Sequence, residues 1–223
     1  MNLENLRREY LQKGLSRSDL LADPMEQFKF WMQQAMDSGL IDPTAMSIAT
    51  VDASGQPSQR TVLLKDLHQN SFIFYTNLQS KKAQDIRQNN KVSLLFAWLP
   101  LERQIKIQGT ASFLGKAESL KYFSSRPKES QLAAWASSQS KPVSSRQFLE
   151  MQFARMKEKY SQGKIPIPDF WGGIKIIPQQ FEFWQGRGHR LHDRFRFSPV
   201  QPAPENVEQK PFPKTWQIER LAP

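Results

Sequence analysis

The residues best equipped for chemistry crowd into one run near the C-terminus: Trp184-Gln185-Gly186-Arg187-Gly188-His189-Arg190-Leu191-His192-Asp193-Arg194. If the run continues as a strand, Arg190, His192 and Arg194 share one face. Two guanidinium groups flanking an imidazole repel each other, so such a face suits a bound anion; a face left in water is the alternative. A second group is Tyr122, Arg126 and Ser130, at i, i+4 and i+8. Helical geometry aligns them, although Pro127 pushes Arg126 out of the helix. A helix that ends at Arg126 and restarts near Lys128 would still converge all three. Phenol, guanidinium and hydroxyl are suitable phosphate donors. Taken alone, an ordinary surface helix is the simpler reading. A third group is Arg60 and Lys65, at the ends of a six-residue run. Strict alternation places them on opposite faces. Serving one pocket requires a bulge or a strand end between them.

Other chemistries find no support. The chain has no GxGxxG, no phosphate-binding Walker loop and no nucleophile elbow. It has no cysteine, which removes disulfides, thiolate ligands and a thiol nucleophile. His189 and His192 lack further ligands at metal-site spacing, so no metal is expected. The net charge of +10 fits either a nucleic-acid or membrane-surface binder or a protein whose small ligands carry phosphates. The basic residues are scattered and form no block of about five or six like charges. No run approaches the ~18 apolar residues of a membrane span, and the N-terminus carries no basic-then-apolar leader. A cytoplasmic protein without membrane contact is expected.

These residues need elements to position them. Residues 3–13 read as a short helix or arm ending at Gly14. Asp23-Pro24-Met25-Glu26 opens a helix, with Asp as N-cap and Pro in the first turn. Phe28, Trp31, Ala35 and Met36 follow at helical spacing, and Gly39 stops it. The period then changes. Strands are expected over 45–52, 58–65, 71–77, 91–98 and 103–114, with a short helix over 80–89 and loops at 53–57 and 66–70. In this frame Phe72-Ile73-Phe74-Tyr75 reads as core. Helices follow within 116–162, separated by Pro127 and Pro142. Strands return at 173–177, 181–185, about 190–197 and 215–221. Residues 198–214 hold five prolines and read as a surface loop. The order suggests a mainly β, α+β antiparallel barrel or sandwich with flanking helices, not alternating βαβ units. One domain over 1–223 is expected, with an arm over about 1–20.

Taken together, the segments resemble the pyridoxamine (pyridoxine) 5′-phosphate oxidase family. The resemblance rests on FEFWQ at 181–185 followed by RLHDR at 190–194. It extends to LRREY at 6–10, DPTAM at 42–46, QRTVLLK at 59–65, FYTN at 74–77, SLLFAW at 93–98, LERQ at 101–104, YFSSRP at 122–127, QS at 139–140, FWGG at 170–173 and ERLAP at the end. These occur in order across nearly the whole chain.

The resemblance implies an FMN-binding split β-barrel working as a homodimer. By resemblance, FMN is held by Arg60, Thr61, Val62, Leu63, Leu64 and Lys65, by Tyr75 and Thr76, and by Lys81 and Lys82 at a helix start. Gln104, Gln139, Ser140, Trp184 and Arg194 complete that set. The substrate phosphate falls to Lys65, Tyr122, Arg126 and Ser130. Arg190 and His192, the implied catalytic residues, lie over the substrate ring, and Arg7 and Tyr10 of the arm close the site. Many members carry Arg-Lys where this chain has Lys81-Lys82; the loss of a bidentate fork lowers the expected FMN affinity. Residues 186–189 vary in the family and receive no role.

The implied reaction is oxidation of pyridoxamine or pyridoxine 5′-phosphate by O2 to pyridoxal 5′-phosphate, with peroxide, and ammonia from the amine. The rivals are a phenazine-pathway flavin oxidase on the same fold and a non-catalytic protein that binds pyridoxal phosphate or nucleic acid. Nucleic acid is the less favoured partner.

Overall fold

In the computed structural model, which describes residue 1, residues 9–200 and residues 215–223, the first long element is the helix that Asp23 announces. Helix α1 spans Pro24–Asp37, and the Asp23 carboxylate accepts from the amides of Met25 and Glu26. Those amides have no partner inside the helix, so the cap stabilises its first turn. The buried stripe is Met25, Phe28, Trp31, Met32 and Ala35. Met36, expected on that stripe, is exposed; Met32, one turn below, takes the inward place. Gly39 ends the helix at φ 76°, a left-handed conformation that glycine adopts without a Cβ clash.

Among the described residues, nine antiparallel strands form one sheet: β1 (Ala45–Val51), β2 (Pro57–Leu63), β3 (Asp66–His68), β4 (Ser71–Asn77), β5 (Lys91–Trp98), β6 (Arg103–Phe113), β7 (Trp171–Gln185), β8 (Asp193–Pro199) and β9 (Trp216–Leu221). The main order is β2-β1-β5-β6-β7-β4-β3, with β8 on β7 and β9 on β8. The sheet curls into a half-barrel over α1. Phe28 meets Phe72 and Phe96 at ring-centroid distances of 4.8 and 5.0 Å, and Trp31 meets Phe183 at 5.3 Å. The expected mainly β, α+β architecture is present.

Three differences from the sequence expectation have local causes. Residues 66–68, expected in a loop, pair with 71–73 as a short hairpin closed by Gln69 and Asn70, both in left-handed conformation. Residues 173–177 and 181–185 are one strand, because β7 passes through a bulge and does not break. Gln108 pairs with Gln180 and Gly109 with Pro178, which leaves Gln179 as the extra residue. A Cβ on Gly109 would lie 2.4 Å from the Ile177 carbonyl oxygen, so only glycine fits there. The third difference is that β8 starts at Asp193 and not near 190.

Helix α2 (Lys81–Gln88) follows β4. Helices α3 (Lys116–Ser125), α4 (Lys128–Ala136) and α5 (Arg146–Lys159) form a second apolar cluster around Phe123, Leu132, Ile165 and Trp171. Pro127 separates α3 from α4, as its missing N–H requires. Of the N-terminal segment, residues 9–13 form an extended arm and not a helix; residues 2–8, with Arg7, lie outside the described residues, as do 201–214 of the proline-rich stretch.

Phe28 is fully buried between α1 and the sheet. Phe28→Ala should cost about 3–5 kcal/mol of stability, read as a lowered midpoint in urea denaturation.

Candidate functional site

The strand end that the Arg60–Lys65 run needed is present. Strand β2 stops at Leu63, Leu64 turns into the core with its amide donating to the Thr44 carbonyl, and Lys65 returns to the surface. Arg60 and Lys65 therefore open onto the same cavity, of about 830 Å³. Its walls also take Thr61, Val62 and Leu63 from β2, Tyr75 and Thr76 from β4, and Lys81 and Lys82 from α2. Tyr122 and Arg126 come from the end of α3, Ser130 from α4, and Gln139 and Ser140 from the loop beyond. Leu64 is the one member of the 60–65 run that does not line it.

The cavity has two cationic corners of different construction. At the first, Lys82 is buried, and its ammonium donates only to neutral oxygens: Thr76 Oγ1 at 3.1 Å, Gln139 Oε1 at 3.0 Å and Ser80 Oγ at 3.4 Å. No carboxylate lies within ion-pair distance of it among the described residues. Burial, and then the neighbouring Arg60 charge, push its pKa down to about 8. Arg60 is held by Thr50 Oγ1 (2.7 Å), the Ile48 carbonyl (3.3 Å) and Ser58 Oγ. Lys81 differs from its neighbour. Its ammonium bridges Asp52 (3.1 Å) and the buried Asp85 (2.6 Å), and those bonds raise its pKa. Thr50 donates to the other Asp85 oxygen at 2.7 Å.

At the second corner, Tyr75 stacks on Tyr122 at 3.9 Å and on Trp171 at 5.3 Å. The Arg126 guanidinium lies over the Trp171 ring at 4.8 Å, a cation–π contact. Its Nη1 is buried without a hydrogen-bond partner. A buried donor left unpaired is costly, and an anion entering the cavity would satisfy it. Burial lowers the Arg126 pKa, partly offset by Tyr122. Trp171, Asp85 and Asp52 were not singled out from sequence. The Lys81–Asp85 spacing of four on a helix was the signal for one of them.

The remaining expected residues gather elsewhere. Tyr10, Trp184 and His192 form one aromatic group, with centroid separations of 5.6 Å (Tyr10–Trp184), 5.3 Å (Tyr10–His192) and 4.8 Å (Trp184–His192). Gln104 and Arg194 pair with Trp184 from the flanking strands. Arg194 is engaged by Glu182 at 2.9 Å and by the Ala222 carbonyl at 2.7 Å. His192 Nδ1 accepts from the Arg187 amide at 3.2 Å, so in the neutral ring the proton sits on Nε2. Arg190 is not on a strand with them. It ends a 3-10 turn at φ 59° and is exposed, so the expected shared face of Arg190, His192 and Arg194 is replaced by a turn that reverses before Asp193.

The two groups occupy opposite ends of β7. Trp171 marks the cavity end and Trp184 the other, about 13 residues on, or roughly 40 Å along the strand.

Residues 32–160 match a family model described as pyridoxamine 5′-phosphate oxidase, and residues 171–223 match the pyridoxine 5′-phosphate oxidase C-terminal dimerisation region. The chain is 55% identical to a pyridoxine/pyridoxamine 5′-phosphate oxidase of Pseudoalteromonas translucida over the full length of both, and 56% identical to one of Teredinibacter turnerae, again over both full lengths. Among solved structures, PhzG from Burkholderia lata 383, in complex with tetrahydrophenazine-1-carboxylic acid, aligns with a TM-score of 0.80 at 25% identity, covering 92% of this chain and 95% of that one. A pyridoxamine 5′-phosphate oxidase-related, FMN-binding protein from Nostoc punctiforme aligns at a TM-score of 0.69 and 16% identity, covering 92% and 100%, a likeness of fold. With a curved antiparallel sheet, a doubly cationic cavity and matches across its whole length, the chain belongs to the pyridoxamine 5′-phosphate oxidase family.

Proposed function

We propose that this chain binds FMN and uses O2 to oxidise pyridoxamine or pyridoxine 5′-phosphate to pyridoxal 5′-phosphate, as the names of its full-length relatives suggest. The observation that carries the reading is one cavity with two separate anion-binding corners, enough for a cofactor phosphate and a substrate phosphate at once. Lys82 and Arg60 suit the first, near the start of α2, where free amides also point. Lys65, Tyr122, Arg126 and Ser130 suit the second. The flavin, when bound, supplies the hydride acceptor and the reactivity with oxygen. The protein binds, orients and excludes water. Gln104, Gln139, Ser140, Trp184 and Arg194 belong to the cofactor set in this reading, and Arg190 and His192 to the substrate ring. The Nε2–H of His192 acts there as a hydrogen-bond donor, since its Nδ1 is already an acceptor.

Trp184 and His192 cannot reach the cavity of their own chain, because β7 separates them from it. A second copy brings them there, and the match of residues 171–223 to a dimerisation region supports a homodimer. No described helix is long and apolar enough to cross a membrane. The proposal includes a cytoplasmic location, which a cysteine-free chain suits. The likeness to PhzG keeps a phenazine-type oxidase as the rival, but the full-length relatives at 55–56% identity favour the vitamin B6 substrate. Oxygen uptake with pyridoxamine 5′-phosphate, and chromatography of the heat-released flavin, test the proposal; no uptake, or FAD in place of FMN, would sink it.

Lys82 makes FMN binding pH-dependent. Its ammonium is charged below about pH 8 and lost above it, while the cofactor phosphate is already ionised at neutrality, with a second pKa near ~6. Apoprotein affinity for FMN should therefore fall about tenfold from roughly pH 7 to 9. Lys82→Met should weaken binding about 10- to 100-fold at neutral pH and flatten that profile. Flavin fluorescence quenching reads both; an unchanged profile in the variant would assign the titration to another group.

Arg126 should act on substrate and not on flavin. Arg126→Ala should raise KM for pyridoxamine 5′-phosphate about 10- to 100-fold, with a smaller fall in kcat and FMN content retained. Unphosphorylated pyridoxamine is the control. Equal losses in kcat/KM for both compounds would show that Arg126 does not read the phosphate.

A further inference from the structure

Glu102 sits in a left-handed conformation, φ 55° and ψ 38°, and is buried. Glycine or asparagine is favoured at such a position, and a charged side chain held there points to a task that outweighs the strain. The task is visible in its contacts. The Glu102 carboxylate accepts from the amides of Leu11 (3.0 Å) and Gln12 (3.1 Å), ninety residues away in sequence. A second buried carboxylate, Asp193, accepts from the Leu15 amide at 2.9 Å and is neutralised by Arg220 and, at 3.6 Å, by Arg187. Arg220 also donates to the Leu15 carbonyl at 3.4 Å.

Two glycines make room for the same docking. A Cβ on Gly186 would lie 2.7 Å from the Tyr10 ring, and a Cβ on Gly14 would lie 2.7 Å from Asp193 Oδ2. The Gly186 amide donates to the Glu102 carbonyl, so the two sides of the dock are joined. The result is an arm fixed at both ends, with Tyr10 edge-on to Trp184 and His192.

We propose that Glu102 and Asp193 are positioning residues that latch residues 9–15 onto the rim, and so hold Tyr10 against Trp184 of the cofactor set and His192 of the substrate ring. The role in turnover rests on the function proposed above; the latch itself rests on contacts within one chain. Carboxylate-to-amide bonds suit the task because they grip the backbone and leave the arm's side chains free to face the ligand.

The test uses the full-length, FMN-loaded enzyme and the variants Glu102→Gln, Asp193→Asn, Tyr10→Ala and Glu102→Gln with Tyr10→Ala. Two readouts are independent. The first is the rate of tryptic cleavage after Lys13, followed by intact mass. The second is kcat and KM for pyridoxamine 5′-phosphate at measured flavin content. Glu102→Gln and Asp193→Asn, at opposite ends of the arm, should each speed cleavage about tenfold and raise KM several-fold, with flavin content and kcat less affected. In the cycle, Glu102→Gln should add nothing to the loss already caused by Tyr10→Ala. Unchanged cleavage in both carboxylate variants would overturn the latch. Additive losses in the cycle would show that Glu102 acts through something other than Tyr10. Faster cleavage with KM and kcat unmoved would overturn the link between arm and substrate. If the parent enzyme consumed no oxygen with this substrate, the function would fail while the cleavage rates still judged the latch.

Discussion

A strand cannot fold back on itself, and the organisation of this protein follows from that constraint acting on β7. Fifteen residues long, β7 keeps β6 along one edge and passes its other edge from β4 to β8. Its first residues support the cavity and its last support the aromatic rim. The bulge at Gln179 adds curvature without ending the strand, so both ends remain parts of one rigid element. What the ends carry cannot converge within a chain, so the site proposed above needs a second copy, in keeping with the match of residues 171–223 to a dimerisation region.

The two neighbouring lysines of α2 show how one sequence pair yields two electrostatic states. Lys81 is exposed enough to reach Asp52 and Asp85, and its charge is spent on the protein. Lys82, one residue on, faces inward to hydroxyl and amide oxygens alone. Desolvation without a counter-charge is unfavourable and lowers its pKa. A phosphate would reverse that cost. The Arg126 Nη1, buried and unpaired beside Trp171, is in a similar position. Among the described residues both groups are buried without a counter-charge, and in the proposed function the ligand's phosphates supply it.

Local signals carried much of this in the sequence. The Asp23-Pro24 helix start, the strand blocks and the Pro127 break all appear close to where patterning put them. The convergence of Tyr122, Arg126 and Ser130 was reachable from spacing plus the break at Pro127, whereas Lys65 joined them only through the family resemblance, because patterning carries the strand through Leu64 to Lys65 and gives no sign that it ends at Leu63. Long-range facts were not legible. Only the Lys81–Asp85 spacing separates Lys81 from Lys82 locally; the rest of their difference is made by Asp52, Thr76 and Gln139, of which Asp52 and Gln139 lie far off in sequence. The Arg190 strand extension failed because two consecutive non-glycine residues, His189 and Arg190, adopt left-handed backbone, which composition does not announce. Glu102 gave no hint of its partners ninety residues away.

The separation along β7 also has a genetic consequence. In the proposed dimer, a chain defective at Arg126 and a chain defective at His192 damage different halves of a site. Paired together, they leave one site with both lesions and one with neither. Two inactive alleles of this gene would then complement each other within a mixed dimer, up to about half of normal activity per such dimer. Two alleles damaged at the same end of the strand would not.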